Sequence, residues 1–289
     1  MNKINFAYFG GEPLGVPVLE ELKAAGFLPS LIVASPDRKS GRGQKMESPA
    51  VKIWAEENDI SAWQPNDFSD QTSCEEKLQN FDLFIVVAYN KILPEWLINL
   101  PKHKTLNVHP SLLPLLRGAS PIRSAILRDM REKIGVSIMV LDKEMDHGPI
   151  VAQKRFEIDS DNWPIKGPVL DGILAQMGGR LLAATIKPYL EGQLQPTEQE
   201  HEYATYCGRF SKSDGELKID PTDLPTGDRA YQYLLQIYGL MNSPGCYFIF
   251  KGKRIKINDA IIEDDKLEIL SVTPEGKKAQ TFFDFVQNL

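Results

Sequence analysis

Short apolar runs alternate with stretches of helical spacing along the first two-thirds of the chain. Ile4 to Phe9 is apolar and ends in Gly10-Gly11, and from Pro13 to Ala25 the positions Leu14, Val18, Leu19 and Leu22 recur at helical intervals. Strand, glycine turn and helix predict the opening of a parallel α/β sheet. Leu28 to Ala34 reads as the next strand, Ser48-Pro49 opens a helix to about Asn58, and Ile60 to Gln64 is a short strand. Cys74 to Leu78 has weak helical spacing, whereas Phe81 to Ala88 is almost wholly apolar, the pattern of a strand buried on both faces. Pro121 to Met130 predicts a helix, and Val136 to Leu141 and Ile150 to Ile158 two further strands. Leu170 to Leu190 predicts a long amphipathic helix with Gly178-Gly179 inside it.

The pattern changes near residue 192. Gly192 to His201 is rich in Gln, Glu and Pro with few apolar positions, the composition of a linker. Beyond it, Asp228 to Leu240 has helical spacing. Cys246 to Phe250, Arg254 to Ala260, Lys266 to Val272 and Ala279 to Phe285 alternate as strands, which by itself says only a small β domain.

Composition narrows the class. A chain of 289 residues, 42% hydrophobic and 25% charged, fits a soluble protein of one or two domains with a core that needs no covalent staples. Cys74, Cys207 and Cys246 lie far apart without metal-ligand spacing, so structural thiols, a reducing cytoplasm and no metal are expected. No signal segment opens the chain and no apolar run approaches the ~20 residues a bilayer requires, so no membrane partner is expected. Net charge is −6, which argues against broad coating of nucleic acid but allows a local basic face. From Thr205 onward 11 Lys and Arg face 12 Asp and Glu, yet the basic residues gather in Lys251-Gly-Lys-Arg-Ile-Lys256 and at Lys277-Lys278. Such a cluster fits a solvated hairpin or a phosphate-contacting face.

Candidate chemistry centres on residues 105 to 122. Asn107 and His109 sit two apart, so at a strand end both point to one side. An amide donor and an imidazole aimed at one point suit polarising a carbonyl and managing its protons. Pro110, Pro114, Pro121 and Gly118 stiffen the loop that follows. Asp146, in Met-Asp-His-Gly-Pro after the apolar run 136–141, supplies a carboxylate in a comparable setting. A second loop, Tyr89-Asn-Lys-Ile-Leu-Pro94, leaves a buried strand at its carboxyl end, where open α/β sheets bind ligands. Gly10-Gly11 lacks the full G-x-G-x-x-G pattern, so a dinucleotide site is not expected. Asp37-Arg-Lys-Ser-Gly-Arg-Gly-Gln-Lys45 is polar, basic and glycine-flanked, fitting either a solvated loop or a cation that swings onto phosphates.

Asn-x-His-Pro-Ser-Leu-Leu-Pro from Asn107 to Pro114, followed by the Asp146 stretch, resembles the folate-dependent formyltransferase family. The extension Arg117-Gly-Ala-Ser-Pro-Ile122 and the Arg42 loop resemble its methionyl-tRNA formyltransferase branch. The resemblance implies a Rossmann-like formyltransferase domain with a parallel-rich sheet over residues 1–190, a linker at 191–204 and a C-terminal OB-like β-barrel that binds tRNA at 205–289. It implies formyl transfer from 10-formyltetrahydrofolate to initiator methionyl-tRNA by a cytoplasmic monomer, with Asn107, His109 and Asp146 catalytic and no metal. Folate would be held by Val87, Ala88, Tyr89, Asn90, Ile92, Leu93, Ser111, Leu112, Leu113, Pro114 and Asp142, largely through backbone groups around the pteridine. Arg38, Arg42, Lys45, Lys251, Lys253 and Arg254 would contact tRNA. The chain departs from the family pattern at Asn90 (usually Gly), His147 (usually small) and Ser243 (usually Trp). Alternatives are a sugar-nucleotide N-formyltransferase, which shares the triad, and a catalytically weak folate- or RNA-binding protein.

Overall fold

A computed structural model describes residues 4–40 and 44–288. The chain divides into two compact units, and neither is one continuous stretch. The first comprises residues up to Arg117, Gly135–Phe156 and Gly172–Tyr206, and the second Gly118–Ile134, Glu157–Asp171 and Cys207 onward.

In the first unit seven strands form one mixed sheet: β1 (Phe6–Gly10), β2 (Leu31–Ala34), β3 (Ala62–Trp63), β4 (Leu83–Val87), β5 (Thr105–His109), β6 (Gly135–Val140) and β7 (Ile150–Arg155). Their order is β7-β6-β5-β4-β1-β2-β3. The five strands from β3 to β5 run parallel; at one edge β6 runs antiparallel to β5 and β7 antiparallel to β6. Burial on both faces explains the unbroken apolar runs. Phe6 and Tyr8 enter one core with Leu19, Ile32, Leu106, Val108 and Ile138, while Ala7 and Phe9 enter another with Val33, Phe84, Val86 and Leu97. Each such large side chain withdrawn from water contributes roughly 1.5–3 kcal/mol.

Helices cover the sheet. Helix α1 (Gly15–Ala24) buries Val18, Leu19 and Leu22, the expected stripe. Helix α2 (Ala50–Glu57) begins after Pro49, which takes the N-cap position. Helix α3 (Gln71–Leu78) starts earlier than its apolar spacing suggests, because the Asp70 side chain caps the Ser73 amide. Helix α4 (Glu95–Ile98) is a single turn, α5 (Pro121–Leu127) lies in the second unit, and α6 spans Gly167–Leu190. By length and composition α6 is apolar enough to cross a membrane, where the sequence led us to expect no apolar run near that length. Its apolarity belongs to the core: Leu182 and Ile186 are fully buried in the first unit. Gly178 and Gly179 permit this, since a Cβ on either would stand 2.7 Å from Val108 or Glu21. The helix weakening by glycine is offset by closer packing against β5 and α1.

In the second unit α5 packs on α7 (Gly227–Gly239), and α7 lies on an antiparallel four-stranded sheet. Its strands are β8 (Tyr247–Phe250), β9 (Lys253–Glu263), β10 (Lys266–Pro274) and β11 (Gln280–Thr281). Ala279 to Phe285 is therefore not the expected strand. Two residues pair, and Phe282–Gln287 forms helix α8, because Thr281 accepts the Asp284 amide as N-cap and Phe282 and Phe285 bury at helical spacing.

One core residue is poorly satisfied. Tyr89 is 2% exposed among Phe9, Phe68 and Phe84, and its hydroxyl has no hydrogen-bond partner among the described residues. Burial pushes the phenol well above its usual range, with the nearby Cys74 adding to the shift. Tyr89→Phe removes an unpaired polar group, so unfolding should require about 1 kcal/mol more at pH 7, read by urea denaturation. The folded form keeps this phenol protonated where the unfolded chain ionises near pH ~10, so stability is lost as pH rises past that value. The advantage of Tyr89→Phe should accordingly widen above pH ~10; an advantage that shrinks there would contradict the assignment.

Candidate active site

Strand β5 brings Asn107 and His109 to the carboxyl end of the parallel sheet. Leu106 and Val108 point into one core, so Asn107 and His109 face the opposite way, at 8% and 4% exposure. The Nε2 of His109 lies 3.1 Å from the carbonyl of Leu116. A carbonyl only accepts, so Nε2 carries a proton and donates it. Nδ1 lies 3.6 Å from Oδ1 of Asp146, within ion-pair reach but longer than a hydrogen bond. The sequence-level expectation that Asn107, His109 and Asp146 form one cluster concerns an amide, an imidazole and a carboxylate. The structure places the last two together and puts Asn107 beside His109 on one strand face. With Nε2 held by Leu116, Nδ1 is the nitrogen turned toward the carboxylate.

The loop after β5 is laced from beneath. Ser137 Oγ donates to the Ser111 carbonyl and accepts the Leu113 amide, and Gln153 Nε2 donates to the Leu113 carbonyl and to Ser137 Oγ. Ser111 Oγ donates to the Leu115 carbonyl at 2.6 Å. Ser111 and Leu113 are buried and serve the loop's own shape, whereas Leu112 and Pro114 are half-buried.

The loop that follows β6 and carries Asp146 is equally constrained. Asp146 is in the left-handed region at φ 52, and a Cβ at Gly148 would stand 2.1 Å from the Val140 carbonyl. The Nδ1 of His147 bonds Oδ2 of Asp142 at 2.6 Å, and the His147 ring stacks on His201 at 4.1 Å. His147 thus pairs with Asp142, one of the positions expected at the folate pocket.

Around residue 90 the backbone turns twice, with Ala88 at φ 47 and Asn90 at φ 60. Asn is the residue after glycine that best tolerates this region, which accounts for Asn90 where glycine is usual. Its side chain donates to Glu12 Oε1 at 2.6 Å. Val87 and Tyr89 are buried in the two cores, so only their backbone is available to a ligand, while Ile92 stands 87% exposed and Leu93 is half-buried.

The basic candidates fall on both units. Arg38 is on the exposed hairpin strand Arg38–Ser40, with its guanidinium 3.7 Å from Glu12, and Lys45 is exposed on the partner strand. Arg42 lies outside the described residues. Lys251, Lys253 and Arg254 are exposed at the β8–β9 turn in the second unit, with Lys251 over the Phe250 ring and Arg254 over Tyr247.

Three residues of the site carried no role in the sequence. Arg117 is 2% exposed, and its Nε and NH2 donate to Gln199 Oε1 at 3.1 and 2.7 Å. NH2 also reaches His201 Nδ1 at 2.8 Å. Gln199 and His201 belong to the stretch whose composition reads as a linker. Thr197 in that stretch exchanges both backbone hydrogen bonds with Ile150 at the start of β7, each 2.8 Å. Nothing in the residue types of 192–201 marks one buried glutamine among several exposed Gln and Glu.

Fold and site together fit an α/β enzyme with an amide, an imidazole and a carboxylate at the carboxyl end of its sheet. Comparison with known proteins narrows this. A family described as "Formyl transferase" matches residues 2–164. The methionyl-tRNA formyltransferase of Sulfurihydrogenibium sp. is 37% identical over 241 residues, covering 83% of this chain and 74% of that protein. That of Pelagibacter ubique is 32% identical, covering 96% of this chain and 94% of the relative. Among solved structures, a 4-N formyltransferase from Francisella tularensis aligns with a TM-score of 0.66 at 18% identity, over 91% of this chain and 100% of that one. HypX from Aquifex aeolicus, in complex with tetrahydrofolic acid, aligns with 0.68 at 14% identity, over 99% of this chain and 47% of that one. The chain belongs to the formyl transferase family, among the methionyl-tRNA formyltransferases.

The contact at Gly148 makes a direct test. Gly148→Ala drives a methyl into a backbone carbonyl that cannot rotate away, so the loop carrying Asp146 must shift. Loss of about 1–3 kcal/mol of stability is expected together with loss of turnover, read by denaturation and a formyl-transfer assay. Wild-type turnover in this variant would show that the loop position does not matter.

Proposed function

We propose that this chain moves a formyl group from a 10-formylated folate to the free amine of initiator methionyl-tRNA, with Asn107, His109 and Asp146 as the catalytic residues. The observation that carries the residue assignment is the 3.6 Å approach of His109 Nδ1 to Asp146 at the open end of the parallel sheet, two residues beyond Asn107. The exposed Ile92 and the two left-handed turns at Ala88 and Asn90 fit a flat heterocycle laid against backbone groups at the end of β4. When bound, the folate supplies an activated formyl carbonyl.

The residues of this chain then act as follows. The Asn107 amide donates a hydrogen bond to the formyl oxygen as negative charge develops on it. The His109 imidazole, anchored through Nε2 to Leu116, offers Nδ1 on the same side and transfers a proton within the site. Asp146 holds that ring by charge and collects, directly or through water, the proton shed by the attacking amine. As the amine nitrogen bonds to the formyl carbon, the bond from that carbon to the folate nitrogen breaks, and the departing nitrogen takes up a proton. The substrate amine is itself the nucleophile, so no acyl-enzyme is required.

The second unit supports recognition of tRNA through the β8–β9 turn, where Lys251, Lys253 and Arg254 stand exposed. We read its four-stranded sheet as the counterpart of the OB-like barrel expected from sequence, and Arg38, Arg42 and Lys45 as a second contact to the acceptor end. A cytoplasmic monomer accords with this role.

The test is formyl transfer from 10-formyltetrahydrofolate to charged initiator tRNA. Wild type should produce formylmethionyl-tRNA, and Asn107→Ala should lower kcat about 10²–10³-fold. Arg42→Ala should raise KM for tRNA while leaving kcat near wild type. Folate turnover on an amino sugar nucleotide with none on tRNA would replace the acceptor in this proposal.

A further inference from the structure

We propose that Gln199 is a positioning residue for the reaction, holding Asp146 against His109 by clamping the backbone on both sides of His147. This rests on the assignment of Asp146 to catalysis. The Nε2 of Gln199 donates to the carbonyl of Asp146 at 3.0 Å and to the carbonyl of Gly148 at 2.7 Å. Its Oε1 accepts the two Arg117 bonds. All four hydrogen-bonding positions of the amide are used. Each end meets partners with one role only: carbonyls accept and guanidinium donates. The side chain therefore cannot flip without facing four mismatched contacts. It is 5% exposed, so water does not substitute for these partners.

The clamp acts on backbone that would otherwise relax. Asp146 is left-handed at φ 52, a sparsely populated region for a residue with a side chain. Gly148 passes under Val140, whose amide is tied to the Pro149 carbonyl. Gln199 joins the two carbonyls that flank His147 and hands their position to Arg117.

Arg117 in turn follows Leu116, whose carbonyl orients His109. The Leu116 amide donates to Thr205 Oγ1 at 2.9 Å, and the Arg117 amide to the Thr205 carbonyl at 2.8 Å. One dipeptide thus sets both members of the pair: Leu116 fixes the imidazole, and Arg117, through Gln199, fixes the carboxylate. The stretch 197–205 contributes Thr197, Gln199, His201 and Thr205 to this frame, so its part is to build the site.

Gln199→Glu separates the roles of the amide. A carboxylate keeps both bonds from Arg117 but has no hydrogen to give to the two carbonyls and sets an anionic oxygen against them. We expect kcat at saturating substrates to fall about 10²-fold, the effect of an ångström-scale misplacement, with KM for folate and for methionyl-tRNA within about threefold of wild type. In an Asp146→Asn background the same substitution should cost nothing further, because the carboxylate it serves is already gone. Gln199→Met, which keeps the volume and removes every hydrogen bond, repeats the cycle should the glutamate variant fail to fold. A crystal structure of whichever variant folds should show the His109–Asp146 separation widened by about 1 Å or more. An unchanged separation, or equal losses with and without the Asp146 carboxylate, would each overturn the proposal. A wider separation with wild-type turnover would instead show that Gln199 positions Asp146 and that Asp146 has been wrongly assigned to catalysis.

Discussion

A strand buried on both faces cannot place polar chemistry along its length, and this restriction shapes the first unit. Strand β5 is covered on either side, so its amide and imidazole can serve a substrate only where the strand runs out. The same restriction makes the connections beyond the strand ends carry the function, and a connection with buried backbone must find a partner for every amide and carbonyl. Ser137 and Gln153 do this for the loop after β5, and Gln199 for the loop after β6. The polar side chains beneath the site are thus consequences of where the apolar ones must go.

The charge of Arg117 fits this scheme. A buried guanidinium is costly unless its donors are met, and a glutamine meets them with dipoles while passing the constraint onward. His147 gains a similar explanation. It occupies a turn where a small residue is usual, yet its ring is absorbed by Asp142 on one edge and by the His201 face. The departure from the family pattern is compensated locally.

Much of this was legible from the residues alone. Alternation of apolar runs and helical spacing located β1, α1, β4 and α6, and the two-residue interval between Asn107 and His109 put both on one side of a strand. The failures have physical causes. Phe282 and Phe285 satisfy either strand alternation or helical spacing in so short a segment, and the capping by Thr281 decided for the helix. The apolar character of α6 was underestimated because Asp171, Gln176, Arg180 and Lys187 break its apolar positions into short runs. Gln199 was invisible because its role depends on a carbonyl 53 residues away, and no local pattern distinguishes it from the exposed glutamines beside it.

The division of the chain has a consequence during synthesis. Residues 118–134 and 157–171 belong to the second unit but emerge before most of that unit exists, since its remainder begins at Cys207. Helix α5 therefore waits for α7, more than 100 positions later, before it can bury its apolar face. The first unit faces a shorter delay, ending when Gln199 and Thr205 leave the ribosome. A nascent chain arrested between these points should hold a nearly complete sheet beside two unpaired helical segments, the kind of intermediate that draws chaperones. The site would then mature in the order in which its frame is translated, with the hold of Thr205 on Leu116 and Arg117 the last part to be set.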